Sequence, residues 1–454
     1  MKYISTRGQA PTVDFAQAML SGLAPDGGLY VPETWPAAEP ALARPGIPYA
    51  TVARSVLTTF AGTSLSAGAI DRAVTRLVER FRHEAVTPLV QLDANLWLLE
   101  LFHGPTAAFK DLAMQLAASL MDAALAGSDS RLTLVTATSG DTGAAAVRAF
   151  AGAERIRLIV LHPEGRVSPV QRLQMTTVAA DNITNLAVRG DFDDCQRLVK
   201  GLLTDEGLRA RGALSSVNSI NWARLAGQIP YYVTAGAALA GPAPRFVVPT
   251  GNFGDAFAGW AARRMGANVG GLVAAVNSND ALARVLTDGV YSRRTTVETH
   301  SVSMDVQAPS NFERLVFEAT DRDTDRTRAL FETFAREGTV TLDDALLARL
   351  RAEVSAVTVS EAETRAEIAH AWSAYGQVIC PHTAVAVAAA RRLDPADGPV
   401  VALATAHPAK FPAVVGEALG FDPVRPAVLQ GLEGRPEHYR KVEPTLAAVL
   451  AMLD

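Results

Sequence analysis

Along the first 95 positions, apolar residues recur at helical spacing over 14–20 and in two amphipathic stretches before Pro88, with a Gly/Pro turn at 25–28. That pattern predicts an N-terminal unit, residues 1–95, with no chemistry of its own. From Leu96 the pattern changes to short, largely apolar runs that alternate with helices. The runs are LWLLEL at 96–101, RLTLVTAT at 131–138, IRLIVL at 156–161, NITNLAV at 182–188 and ALSSVN at 213–218. Between them fall helical stretches over 106–125, after Gly143, near Val170 and from Phe192, and a longer one follows from Ile220 past Tyr232. A second series begins with RFVVPT at 245–250, a helix from Ala256 and GLVAAVN at 271–277, and closes with PVVALATA at 399–406. Runs apolar on both faces and separated by helices predict parallel sheets covered on both sides, so the fold class is α/β with two open parallel sheets. The Gly/Pro/Ala stretch at 236–244 marks a hinge between the series. Residues 305–375 are more charged and read as a largely helical elaboration on the second sheet.

Composition narrows the function. A chain of 454 residues with 49% hydrophobic and 20% charged positions has room for two or three domains and is neither disordered nor fibrous. A formal net charge of -5 offers no basic field for phosphate backbones or anionic lipid, so nucleic acid and membrane partners are not expected. The opening MKYISTRGQAPTV lacks the apolar core of a signal peptide, and no run of 18 apolar residues occurs, so the expected address is cytoplasmic. Cys195 and Cys380 stand alone, which fits neither a disulfide scaffold nor a metal site. Of the 42 basic residues only five are lysines: Lys2, Lys110, Lys200, Lys410 and Lys441. An amine can form an imine with an aldehyde and a guanidinium cannot, which singles out Lys110 and Lys410 in their uncharged, Gly/Pro/Thr-rich settings.

Three strand-to-helix loops carry the remaining signals. In LVTATSGDTGAAAV, Thr138 ends a strand and Ser139, Gly140, Asp141, Thr142 and Gly143 lead into a helix. Such a loop either cradles an anion with backbone N–H groups, hydroxyls and a helix N-terminus, or is an ordinary helix cap. Asp141 is out of place beside an anion unless it faces a donor. In FVVPTGNFGDAFAG, the turn Gly251, Asn252, Phe253, Gly254 lacks both a P-loop lysine and a full GxGxxG, which favours a compact phosphate monoester over a nucleotide. In ELFHGPTAAFKDLAMQ, Lys110 falls in the opening turns of a helix, where the dipole opposes a cation and burial favours the neutral amine. Finally, ALATAHPAKFP places Thr405, His407 and Lys410 just beyond a strand's carboxyl end, where ligands of open α/β sheets bind. His103 and His382 could join them.

Read together, APDGGLYVPE, FHGPTAAFKD, TATSGDTGAAA, SSVNSINWARLAGQIPYY, VPTGNFGDAFAG and TAHPAKFP span nearly the whole chain. Their identity and order resemble the threonine synthases, fold type II pyridoxal-phosphate enzymes of the tryptophan synthase β-like kind. HGPT…AFKD and SGDTG look like the branch common in bacteria and fungi. The resemblance implies pyridoxal 5'-phosphate as cofactor and conversion of O-phospho-L-homoserine and water to L-threonine and phosphate. It implies that Lys110 is the Schiff-base lysine and general acid/base, that Gly251, Asn252, Phe253 and Gly254 with Asp255 nearby hold the cofactor phosphate, and that Thr405 hydrogen-bonds the pyridine nitrogen. Thr138, Ser139, Gly140, Asp141 and Thr142 would receive the substrate carboxylate. Asn218, Ser219, Asn221, Arg224 and Lys410 are the candidates for the substrate phosphate, since a dianion wants an Arg fork or an ammonium. A large cofactor-binding domain is expected from 96–110 and 241–454, and a small one from 111–240, in a monomer or homodimer. A lyase of the same fold giving an oxo acid, and a binding protein without catalysis, are the rival readings.

Overall fold

Burial on both faces explains why the apolar runs become central strands: every residue of Leu272–Val276 and of Val400–Ala404 is buried. The computed structural model describes residues 1–210 and 212–453. One sheet has six strands in the order Ser355–Thr358, Leu272–Val276, Arg245–Pro249, Val400–Ala404, Leu96–Glu100 and Leu89–Asp93. All its neighbours are parallel except the last pair. The other sheet has five parallel strands in the order Arg440–Val442, Ile183–Val188, Ile156–Pro163, Leu132–Ala137 and Ala213–Ser215. Helices fill the crossovers, as parallel pairing requires. A single apolar cluster runs from the N-terminal helices Tyr49–Ala61 and Ala67–Arg80 through helices Lys110–Leu125 and Ile229–Ala238 to the six-stranded sheet. A second cluster lies under helices Glu361–Tyr375 and Pro381–Ala390 on that sheet's other face.

Four segments differ from expectation. The helix predicted from Ile220 past Tyr232 is two, Trp222–Ala226 and Ile229–Ala238, because Pro230 at the start of the second has no N–H to continue the first. The charged stretch 305–375 does carry helices, but Ser355–Thr358 within it is the edge strand of the six-stranded sheet, and Thr339–Thr341 pairs with Val290–Ser292 in a separate ribbon. Leu89–Asp93, numbered within the N-terminal unit, is the antiparallel edge at the other side of the six-stranded sheet, half exposed and so without an apolar run. Arg440–Val442, numbered with the large domain, returns to the five-stranded sheet beside Ile183–Val188. Among the described residues no helix is long and apolar enough to cross a membrane.

Candidate active site

Loops at the carboxyl ends of strands from both sheets enclose one cavity of about 340 Å³. Lys110, Thr138, Ser139, Asp141, Thr142, Asn218, Ser219, Arg224, Gly251, Asn252, Phe253, Gly254, Asp255 and Thr405 line it, and His382 joins them. Gly140, Asn221 and Lys410 do not. His103 lies away from it, paired with Glu100 at 2.7 Å.

Lys110 is the first residue of helix Lys110–Leu125, so its position follows from how that helix is entered. Phe109 N donates to Thr405 O at 2.8 Å and His407 N donates to Ala107 O at 3.0 Å, which stitches the segment before the lysine to the end of strand Val400–Ala404. Ala107 takes φ +58°, strained for a residue with a side chain, and is wholly buried, so packing holds the strain. Asp111 anchors the same turn, accepting from Thr106 N at 2.7 Å and Thr106 Oγ1 at 2.8 Å. Burial pushes the Lys110 ammonium down from its ordinary range against the pull of Asp141, and Arg224 and Lys410 push the same way. A neutral amine, able to attack an aldehyde or take a proton, is what that environment favours.

The loop from 138 to 143 is shaped by its own first hydroxyl. Thr138 Oγ1 accepts from Gly140 N at 2.9 Å and from Gly143 N at 2.8 Å. Gly140 sits at φ +141°, and a Cβ there would lie 2.4 Å from Gln171 Oε1, so only glycine fits. This leaves Ser139 and Thr142, half buried, on the cavity side. Asp141 does face donors: Lys410 Nζ at 2.7 Å, Gln171 Nε2 at 2.8 Å and Lys110 Nζ at 3.7 Å. Although burial opposes ionisation, the Lys410 and Lys110 charges hold the carboxyl well below its usual range.

The second loop enters helix Gly254–Arg264 through Phe253, held in the left-handed region at φ +61°. The first amides of a helix have no intrahelical acceptor, so they are open to an anion. Gly251 has no room for a side chain, since a Cβ would stand 2.6 Å from Ser303 O. Gly251→Val is therefore expected to push the loop and the 302–304 turn apart and to weaken binding of the pyridoxal phosphate that the sequence resemblance implies at least tenfold, about 1.4 kcal/mol, in a fluorescence titration. Unchanged affinity would show that the loop does not hold the cofactor. Asp255 turns back to accept from the Tyr231 and Tyr232 hydroxyls, and burial raises its carboxyl to about 6.

Arg224 lies in the short helix Trp222–Ala226, 3% exposed, donating to Val217 O at 2.8 Å. Among the described residues it pairs with no carboxylate, its Nε has no partner, and burial lowers it to about 10. A buried guanidinium without a counter-ion on a cavity wall is a site for a bound anion. Asn218 and Ser219 stand beside it, Asn218 accepting from Thr136 Oγ1 at 2.5 Å. Asn221 has another task. Its side chain caps the helix at Ala223 N and donates to Met19 O and Ser216 O, fully buried. Residues missed from the sequence include Arg314, whose guanidinium donates to Tyr30 O, Ile220 O and Asn311 Oδ1 and so fixes the backbone that carries Ser219. Nothing in the local pattern marks it, because two of its three partners, Tyr30 and Ile220, come from distant segments.

A cavity between two sheets, with an amine at one side, glycine-built anion loops at two others and a threonine at a strand end, suits a small aromatic aldehyde bearing a phosphate. A family model described as pyridoxal-phosphate dependent enzyme matches residues 80–345. Fold and site thus define a pyridoxal-phosphate enzyme of fold type II. Two further models, threonine synthase N terminus and threonine synthase C-terminal, match residues 2–77 and 383–453. The chain belongs to the threonine synthase family, and is accordingly a pyridoxal-phosphate-dependent lyase of amino-acid biosynthesis. It is 42% identical to the threonine synthase of Pseudomonas aeruginosa, over 100% of this chain and 98% of that one. The structure of pyridoxal-phosphate-bound threonine synthase from Brucella melitensis superposes with a TM-score of 0.95 at 48% identity, covering 99% of this chain and 98% of that chain. Yeast threonine synthase gives 0.93 at 34%, covering 100% and 98%.

Proposed function

We propose that this chain converts O-phospho-L-homoserine and water to L-threonine and inorganic phosphate in the cytoplasm. The observation that carries this reading is Arg224, a buried cation without a carboxylate partner among the described residues, in the same cavity as Lys110 and the two anion loops. Three anionic groups must be received there: the cofactor phosphate, the substrate carboxylate and the substrate phosphate. Gly251, Asn252, Phe253 and Gly254 take the first, with Asp255 positioned by its two tyrosines. Ser139 and Thr142, with Thr138 and Gly140 shaping their loop, take the second. Arg224 with Asn218 and Ser219 takes the third. Thr405, on the cavity wall, would hydrogen-bond the ring nitrogen.

When bound, pyridoxal phosphate supplies an aldehyde for the substrate amine and a ring that spreads the charge left as protons leave carbon. Lys110 holds the cofactor at rest. Its free amine, whose charge burial disfavours, would remove the Cα proton and later return one. Arg224 neutralises the phosphate as it leaves the γ-carbon. The division into a domain of 96–110 and 241–454 and one of 111–240, with the cavity at their junction, fits closure over the substrate, and the strand at 440–442 ties the first to the second.

The test is product analysis of the purified protein supplied with pyridoxal phosphate and O-phospho-L-homoserine. Threonine is expected in step with phosphate. Phosphate released with 2-oxobutyrate and ammonia would assign the chain to a different lyase reaction. Arg224→Gln, which removes the charge from the proposed phosphate site, is expected to raise KM for the phosphorylated substrate about 10- to 100-fold, the worth of a charge-assisted hydrogen bond. An unaltered KM would move the phosphate elsewhere.

A further inference from the structure

Lys410 cannot meet a substrate phosphate, because its side chain is 0% exposed and its ammonium is already committed. It donates to Thr106 O at 2.8 Å and lies 2.7 Å from Asp141 Oδ1. Asp141 Oδ1 also accepts from Gln171 Nε2, so that oxygen is taken up on the far side of the cavity wall. The other oxygen, Oδ2, is the one 3.7 Å from Lys110 Nζ. Three of the sequence signals therefore converge on one buried polar row: Lys410 from TAHPAKFP, Asp141 from SGDTG, and Thr106 and Lys110 from GPTAAFK. The Thr106 carbonyl at its end is held by Gln174 Nε2 as well, at 2.9 Å.

We infer that Lys410 is a positioning residue for Lys110, keeping Asp141 an anion with one oxygen aimed at the reactive amine, so that Lys410, Asp141 and Lys110 share their charge as a unit. A carboxylate alone in that wall would be costly to bury and would hold Lys110 as a fixed ammonium. With Lys410 behind it, Asp141 stays ionised while its pull on Lys110 is opposed by a competing cation. The other charged or titratable groups near the row are Arg224, Asp255 and His382, with Asp111 and His407 beside Lys410 and the buried Cys380 thiol beside Asp141, and they set its background. Arg224 opposes a charge on Lys110 and Asp255 favours one. His382 is neutral, pushed by burial to about 4, and its Nε2 accepts from Ser303 N. The arrangement also accounts for an acid in a loop that receives anions: Asp141 answers to the two lysines.

This inference rests on the reading that Lys110 carries the cofactor. The experiment is a pH titration of the visible absorbance of the bound cofactor in the wild-type holoenzyme and in Lys410→Gln, Lys410→Arg and Asp141→Asn, with borohydride trapping and peptide mapping of the cofactor lysine. Glutamine can still donate to Asp141 and Thr106, so it tests the charge with little change of shape. In Lys410→Gln the absorbance transition is expected to move to higher pH by about one unit or more, because Asp141 then acts on Lys110 alone. In Lys410→Arg it should stay near the wild-type value, and in Asp141→Asn it should fall. If Lys410→Gln does not fold, the fall in Asp141→Asn with no change in Lys410→Arg carries the same sign test. A raised KM in Lys410→Gln with an unmoved transition would return Lys410 to the substrate phosphate and overturn the inference, and a downward shift would overturn it too. Cofactor trapped on a lysine other than Lys110 would instead defeat the functional reading itself.

Discussion

Lys110→Ala is expected to abolish turnover, with kcat/KM falling by at least about 10³-fold, since positioned acid/base groups alone contribute about 10²- to 10⁴-fold and the covalent anchor is lost as well. The variant should still bind pyridoxal phosphate, because the loop at 251–254 and Thr405 are untouched, but borohydride should no longer fix the cofactor to the chain. The physical basis is positional. The Lys110 side chain sits 12% exposed at the mouth of a helix, held there by the Phe109 to Thr405 hydrogen bond and the strained Ala107. Added primary amines offer a second reading of the same variant. Partial recovery with methylamine would place the missing function in the amine, whereas near-normal activity without it would remove Lys110 from the reaction.

Trp222→Ala is the substitution with the largest expected effect on stability, about 3–5 kcal/mol. Trp222 is fully buried and meets Tyr3 at 5.7 Å, Phe60 at 5.6 Å and Trp35 at 5.9 Å between ring centroids, with the Arg314 guanidinium 5.6 Å from its ring. It therefore joins the N-terminal unit to the short helix that carries Arg224. The loss should appear as a lower urea midpoint by circular dichroism, and Trp222→Phe should lose less than half as much. A midpoint unchanged in the alanine variant would mean that the N-terminal unit docks by other contacts.

What could be read from the chain and what could not divides along physical lines. Strands buried on both faces, such as Ile156–Pro163 and Val400–Ala404, announce themselves as apolar runs. The half-exposed edges Leu89–Asp93 and Ser355–Thr358 do not, since their alternation is weak and their neighbours are charged. At the site, glycine loops after strands and a rare lysine in an apolar setting were visible as local patterns, and the fold brings those residues to one cavity. Direction was not visible. Lys410 and Arg224 both looked like cations at a loop, yet one is spent on Asp141 behind the wall and the other has no carboxylate partner. Asn221 looked like a donor to substrate and is a helix cap. Partners such as Gln171 for Asp141 could be chosen only once helix Pro169–Thr176 was placed against the 138–143 loop.

The strand order has a consequence for how the chain is made. Val400–Ala404 is an interior strand, lying between Arg245–Pro249 and Leu96–Glu100. Until the ribosome has delivered it, the larger sheet exists as two halves with unpaired facing edges, and the residues that grip Lys110 and Asp141 have not been synthesised. Thr106 waits 304 positions for Lys410. Contacts so distant in sequence close late and slowly. The cofactor pocket is therefore completed only after Lys410 has been made, and a nascent chain stalled before residue 400 would expose two adhesive strand edges and no working site.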